Sequence, residues 1–270
     1  MSIPLEDNFA DVLSKAMRGL VLTDAMVAER AAVSTAQVIA LRTGHWDENA
    51  GRAVAGALAL HPDALSALAA GASTPPPLAV HGLECFSTAF DEMLVNSYLV
   101  WDPDTRSAAA FDTGADCGPM LALLKELELR LQAVFITHTH GDHIFELDRL
   151  CSKTGAPAFV NALEPLDGAE SFASGRVWAV GKLQVASRLT CGHSRGGTTY
   201  HVTGLAQDLA VVGDALFAGS MGGAKVDYAG ALRTNREEIF GLPPDTVLCP
   251  GHGPLTTVGW ESRWNPFFAK

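Results

Sequence analysis

The chain has 270 residues, room for one large domain or two ordinary ones, and 48% of them are apolar, enough for a substantial core. Its 19 basic and 30 acidic residues give a formal net charge of −11, which opposes general binding to nucleic-acid phosphates. No apolar run approaches the roughly 18 residues of a membrane span, so no membrane partner is expected, and the opening MSIPLEDNFADV carries acids and no basic leader.

Residues 5–71 are rich in Ala and Leu with helical periodicity, which predicts a small all-α domain over residues 1–72. Thr23 caps a helix predicted over Asp24–Ala31, and Ser34 caps one over Thr35–Arg42 with Gly44 just beyond its end. Asp63–Ala70 reads as another helix. Ser-Thr-Pro-Pro-Pro at residues 73–77 cannot continue a helix and marks a stiff linker.

The segment TDAMVAERAAVSTAQVIALRTG resembles the helix-turn-helix of phage-repressor-like proteins. The helix that would read DNA offers only Gln37 and Arg42 as long polar donors. Residues 1–77 hold five basic and eight acidic residues, a net of −3. DNA reading needs phosphate contacts from Lys and Arg, so a packing role, or a homodimer through these helices, is preferred.

Residues 78–270 mix strands and helices, which predicts an α/β or α+β domain. Strands are predicted at Leu94–Trp101, Ser107–Phe111, Ala133–Thr137, Ala158–Val160, Arg176–Val180, Thr198–Thr203, Leu209–Val212 and a last one at Thr246–Cys249. Helices are predicted at Pro119–Leu131 and Ile144–Lys153, with Asn235–Phe240 closing a third. The five cysteines are odd in number, widely spaced and free of any CxxC pair. They predict a reduced, cytoplasmic protein rather than a disulfide framework. Cys151, Cys191 and Cys249 read as small apolar residues.

Five of the nine histidines lie in three short segments, Thr137–His143 (THTHGDH), Cys191–Ser194 (CGHS) and Pro250–Gly253 (PGHG). A fourth segment, Val212-Gly213-Asp214-Ala215-Leu216, places a carboxylate after an apolar strand. His45, His61, His81 and His201 read as ordinary surface or core residues. In extended chain, residues i and i+2 share a side, so His138 and His140 can share one partner. Gly141 permits a turn that brings Asp142 and His143 back toward the strand end. Two ligand pairs offset by a turn suit two metal ions; imidazole and carboxylate suit zinc, and also iron or manganese. Buried without metal, such converging polar groups would be costly.

With THTHGDH, TCGHSRGGTTY, VVGDALF and LCPGHG in this order, residues 78–270 resemble the metallo-β-lactamase-fold hydrolases. They are most similar to the short glyoxalase II-like (hydroxyacylglutathione hydrolase-like) branch, through GDALFAGSMGG and PPDTVLCPGHGPLTTVGWESRWNPFF. The resemblance implies an αββα sandwich with two divalent metals, zinc first, at one edge. It implies that His138, His140 and His193 hold one ion, that Asp142, His143 and His252 hold the other, and that Asp214 bridges them. Asp112 would orient a ligand ring, and Asp142 would also orient the nucleophile. The implied reaction is hydrolysis of a small-molecule acyl thioester or ester by a metal-bridging hydroxide. Arg195 and Lys225 are candidates for holding an anionic substrate tail.

With 18 residues after His252, the glutathione-gripping helical domain of full-length glyoxalase II is expected to have no counterpart here. The same motifs also serve persulfide dioxygenases with one iron, and lactonases. A β-lactamase is disfavoured because its two-zinc forms usually present a cysteine where Asp214 stands. A metal-binding DNA-associated regulator is the rival from another class.

Overall fold

A computed structural model describes residues 3–270. Five helices come first: α1 (Phe9–Gly19), α2 (Asp24–Ala31), α3 (Thr35–Arg42), α4 (Glu48–Ala57) and α5 (Pro62–Ala69). Local chemistry sets their starts. Asn8 and Asp11 form a reciprocal cap on α1, Thr23 caps α2, Ser34 and Gln37 form the box on α3, and Asp47 caps α4. On α5, Pro62 fills the first turn and His61 accepts from Ala64 N–H. Gln37 is thus held in the cap, its Oε1 accepting from Ser34 N–H, and Arg42 pairs with Asp24 at 2.7 Å, so both long polar side chains of the helix-turn-helix-like segment have local partners.

Two six-stranded sheets follow. In order across the first are β1 (Leu83–Phe90), β2 (Met93–Trp101), β3 (Ser107–Phe111), β4 (Arg130–Phe135), β5 (Ala158–Asn161) and β6 (Ala169–Phe172). The second runs β12 (Thr256–Thr257), β11 (Val247–Pro250), β10 (Leu209–Gly213), β9 (Thr198–Thr203), β8 (Leu183–Leu189) and β7 (Val177–Val180). Pairing is parallel from β3 through β6 and between β10 and β11, and antiparallel elsewhere. Helices α6 (Gly118–Glu126), α7 (Gly141–Ile144), α8 (Leu147–Thr154), α9 (Tyr228–Glu238) and α10 (Val258–Trp264) complete the chain.

Strand periodicity divides the core. Ala109 and Phe111 of β3, Val211 of β10, and Val247 and Cys249 of β11 fill the space between the sheets. Their neighbours Ala108 and Ala110 turn outward to Met120 and Leu124 of α6 and Leu150 of α8. Ala210, Val212 and Leu248 turn outward on the other side, into one continuous cluster with Val12, Leu13, Val38, Leu41, Val54 and Leu65. The N-terminal helices therefore form an outer layer on the second sheet, and the architecture is the expected αββα sandwich. The Pro-rich stretch is held down: Ser73 is buried and its carbonyl accepts from the Trp260 indole. Replacing a fully buried residue such as Leu13 or Leu65 by Ala costs roughly 2–5 kcal/mol.

Several boundaries differ from the sequence reading, the strand predicted at Ala133–Thr137 running instead over Arg130–Phe135. The helix predicted over Pro119–Leu131 stops at Glu126, because Glu128 takes a left-handed φ of 51° and Arg130 N–H donates to Arg106 O to start β4. The helix predicted over Ile144–Lys153 is broken at Phe145–Glu146, where Glu146 N–H turns to Thr113 Oγ1. Thr246–Cys249 is not the last strand; β12 follows it. No helix among the described residues is long and apolar enough to cross a membrane.

Candidate metal centre

The site lies where β3, β4, β10 and β11 end. Asp112 follows β3 with a φ of 55°, a left-handed conformation that aspartate tolerates but that still costs of order 1 kcal/mol. Its buried carboxylate accepts the N–H and Oγ1–H of Thr137, each at 2.7 Å, and the Nδ1–H of His143 at 2.8 Å. The residues after β4 and the start of α7 are thereby fixed to one anchor. Thr113 fastens the backbone carbonyl of His143 with its N–H and hydroxyl. On the second sheet, Gly213 lies so close to Thr137 that an added Cβ would be 2.5 Å from Oγ1. At Gly251 an added Cβ would be 2.2 Å from Asp214 Oδ1 and 2.7 Å from His143 Cε1. Bare backbone at these two points lets the strand ends close on the cluster.

His138, His140, His193 and Asp214 offer atoms within 4.8 Å of one another, as do Asp142, His143 and His252. His138 Nε2 is 3.0 Å from His140 Nδ1, which is 3.0 Å from His193 Nε2. Nitrogens bound to one tetrahedral zinc at about 2.0–2.1 Å stand roughly 3.3 Å apart. In the second group, Asp142 Oδ2 is 3.3 Å from His252 Nε2 and 3.5 Å from His143 Nε2.

Grouping by mutual distance puts Asp214 with the first set, but its carboxylate faces both. Oδ1 is 3.3 Å from His143 Nε2, while Oδ2 is 3.4 Å from His193 Nε2 and 3.6 Å from His252 Nε2. His143 Nε2 and Asp214 Oδ1 are buried and face each other without a well-formed hydrogen bond to any group, an arrangement that a shared cation would satisfy. The residues present therefore fit a metal-binding role.

The outer nitrogens are also spoken for. His143 Nδ1–H goes to Asp112, His252 Nδ1–H donates to Leu94 O at 2.6 Å, and His138 Nδ1 meets Thr137 Oγ1 at 3.1 Å. These bonds set which nitrogen each ring turns inward.

The charges are tightly coupled. Burial pushes His138 and His193 below the usual imidazole range. Burial also works against a charged His143, but Asp112 and Asp214 outweigh it and hold the ring well above that range. For His252 the Asp142 bond and the Asp214 charge overcome burial and lift the ring to about 9. Burial would raise Asp214 and Asp142, yet the surrounding imidazoles hold both carboxyls below their ordinary values. The carboxylates here are balanced by imidazolium protons, which a cation would displace.

All seven ligand candidates read from the sequence thus converge, with Asp112 behind them. Arg195 and Lys225 do not join the cluster, and both side chains are exposed. Cys191 is outside it as well; its carbonyl accepts from Thr234.

One residue that the sequence reading passed over is Glu164. Its carboxylate accepts the backbone N–H of Thr139 at 3.3 Å and of Arg195 at 2.7 Å, tying the His138–His140 and His193 loops together. Nothing in the local sequence marks it, since its partners are 25 and 31 positions away. Just after α7, Phe145 is 62% exposed and packs edge-on against Phe90, which lies beside Gly141.

Residues 91–182 match the model of the Metallo-beta-lactamase superfamily. The chain is 29% identical over 198 residues to a "Probable metallo-hydrolase YqgX" of Bacillus subtilis, covering 64% of this chain and 91% of the relative. It is 33% identical over 169 residues to a hydroxyacylglutathione hydrolase of Halorhodospira halophila, covering 59% of this chain and 62% of the relative. Among solved structures it is similar to BLEG-1 B3 metallo-beta-lactamase, with a TM-score of 0.63, 25% identity, and coverage of 70% of this chain and all of that one. It is also similar to TTHA1623 in a di-iron-bound form, with a TM-score of 0.55, 27% identity, and coverage of 67% of this chain and 99% of that one. Motif, donor cluster and sandwich agree: the chain carries a domain of the metallo-beta-lactamase superfamily.

Proposed function

We propose that the protein is a metal-dependent hydrolase acting on a thioester or ester bond, with two divalent ions, zinc first, as its cofactor. The observation that carries this reading is the position of Asp214, whose two carboxylate oxygens face the separate groups His138–His140–His193 and Asp142–His143–His252. Bound ions at such a site acidify water and polarise an acyl carbonyl.

The chain's own groups do the rest. Asp142, held charged by His252 and His143, accepts a hydrogen bond from the water and orients it. Phe90 and Phe145 offer an apolar rim to the acyl chain. A thiolate leaves with little need of protonation, which suits a cluster built of metal ligands without a separate neutral acid. Likeness to a hydroxyacylglutathione hydrolase supports the thioester, and likeness to a di-iron-bound structure supports two ions.

Plasma-emission analysis of purified protein, paired with hydrolysis of S-lactoylglutathione and of phenyl thioacetate, tests the reading. About two ions per chain together with thioester cleavage support it. One iron per chain with oxygen uptake on a persulfide would move the assignment to the dioxygenase reading.

A further inference from the structure

The N-terminal helical layer reaches the site. The segment ahead of α1 lies on Gly253, next to His252: a Cβ added there would be 3.3 Å from Glu6 N and 3.7 Å from Glu6 Cβ. From α1, Lys15 pairs with Asp7 and donates to Met221 O at 2.8 Å, its ammonium lying 4.9 Å over the Phe217 ring. Phe217 in turn stands edge-on to His252, with centroids 5.5 Å apart. After Met221 the chain presses against the cluster, since a Cβ on Gly222 would be 2.0 Å from Asp214 O and 2.8 Å from His193 Nδ1.

Beyond that contact, between α1 and Gly223–Ala229, lies a groove of about 530 Å³. Gly223 belongs to both places: its backbone faces His193, and it lines the groove. The other walls carry Lys15, Arg18 and Lys225. The one acid among them, Asp227, is engaged in capping α9 through Gly230 N–H. Arg18 and Lys225 have no ion-pair partner among the described residues. With Lys15 already paired to Asp7, Arg18 and Lys225 are the two unpaired cations on this groove, in a chain of 30 acids and 19 bases.

We propose that this groove binds the anionic tail, a carboxylate or a phosphate, of the acyl thioester whose acyl end lies at His193 and Asp214, so that α1 supplies the wall that recognises the substrate. The proposal rests on the thioester-hydrolase reading and names its substrate class. The guanidinium of Arg18 offers paired donors to a carboxylate or phosphate, and Lys225 adds a point charge. The volume is in the range of small-molecule sites.

The test uses metal-loaded full-length protein and the variants Arg18→Ala, Lys225→Ala and Arg18→Glu/Lys225→Glu, all at surface positions. Binding of S-methylglutathione (carboxylate arm) and adenosine 3′,5′-bisphosphate (phosphate arm) is followed by isothermal titration, and neither probe is hydrolysed. One of the two binds the unmodified protein, weakens about tenfold in each single variant, and is lost in the double reversal. The arm that responds identifies the tail. In turnover, KM for S-lactoylglutathione or acetyl-coenzyme A rises about tenfold in the single variants while kcat stays within about twofold. Phenyl thioacetate, which has no anionic tail, is hydrolysed equally by all forms.

If neither probe binds, or if the variants bind as tightly as the unmodified protein, the groove assignment is overturned even where thioester hydrolysis persists. If the probes bind and respond to the variants but no thioester is cleaved, the groove stands and the hydrolase reading falls.

Discussion

The Nδ1–H of His143 donates to Asp112 at 2.8 Å, and this one bond aims the opposite nitrogen of the ring at Asp214, 3.3 Å away. Asp112 needs its left-handed backbone to do this while also holding Thr137. Partners of this kind set the tautomer of a ligand ring, and losing one typically weakens metal binding 10–100-fold. Asp112→Asn keeps an oxygen for the Thr137 N–H but turns an amide N–H donor, which cannot accept, toward His143 Nδ1. Its metal affinity, measured by competition with a chelator, falls by about that factor while the fold is kept. Unchanged affinity would show that His143 is oriented by something else.

Acid should expel metal from this site over a defined range. Burial lowers the pKa of His252, but the Asp142 bond and the Asp214 charge carry it from 6.5 to about 9. A raised imidazole pKa stabilises the metal-free fold fully below pH 6.5, and that share is lost as pH rises through about 9. A cation must displace the same proton, so its affinity climbs with pH up to about 9 and weakens below it. Adding zinc to weakly buffered, metal-free protein at neutral pH therefore releases at least one proton per chain. Affinity that is flat between pH 6.5 and 9 would contradict the ligand role of His252.

Glu164 is a positioning residue, holding the Thr139 and Arg195 backbone amides together. Charge-assisted bonds of this kind contribute roughly 1.5–3 kcal/mol each when buried and less at a half-exposed site. Glu164→Ala lowers kcat/KM about tenfold with a melting temperature within a few degrees of the parent. Glu164→Gln, which retains one acceptor oxygen, recovers part of the loss. Equal activity in all three forms would remove Glu164 from the account.

Legibility from sequence followed distance along the chain. His138, His140, Asp142 and His143 sit within six positions after one apolar strand, and Asp214 and His252 each follow an apolar strand of their own, so period-two reading and turn chemistry exposed them. The helices α2 and α3 were legible from their caps alone. What stayed hidden depends on partners far away. Residues 83–90 are half-buried on both faces and show no clean alternation, so β1 gave no strand signal. The outward-facing residues Ala210, Val212 and Leu248 gave no hint that a layer of N-terminal helices would cover them. The end of α6 was misjudged because Leu127, Leu129 and Leu131 continue an apolar pattern across a turn set by the left-handed φ of Glu128.

Glu261 gives a second pH signature, apart from the metal. Its fully buried carboxyl is pushed up by burial to about 7, although bonds from Thr256, Gly219 N–H and Asn265 pull the other way. An acid bound more tightly to its proton in the folded state stabilises the fold below pH 4.5 and loses that contribution as pH rises through about 7. The rise from 4.5 to about 7 corresponds to about 3 kcal/mol. Glu261→Gln keeps the shape, removes this slope, and melts higher than the parent at pH 8. Parallel melting curves for the two proteins from pH 5 to 8 would refute the assignment.

Anomalous diffraction from crystals grown with zinc tests the central claim most directly, because it locates ions without reference to activity. The account requires two peaks, one among His138, His140 and His193 and one among Asp142, His143 and His252, with Asp214 touching both. A single peak, or peaks elsewhere while these seven side chains bond only to one another, would contradict it.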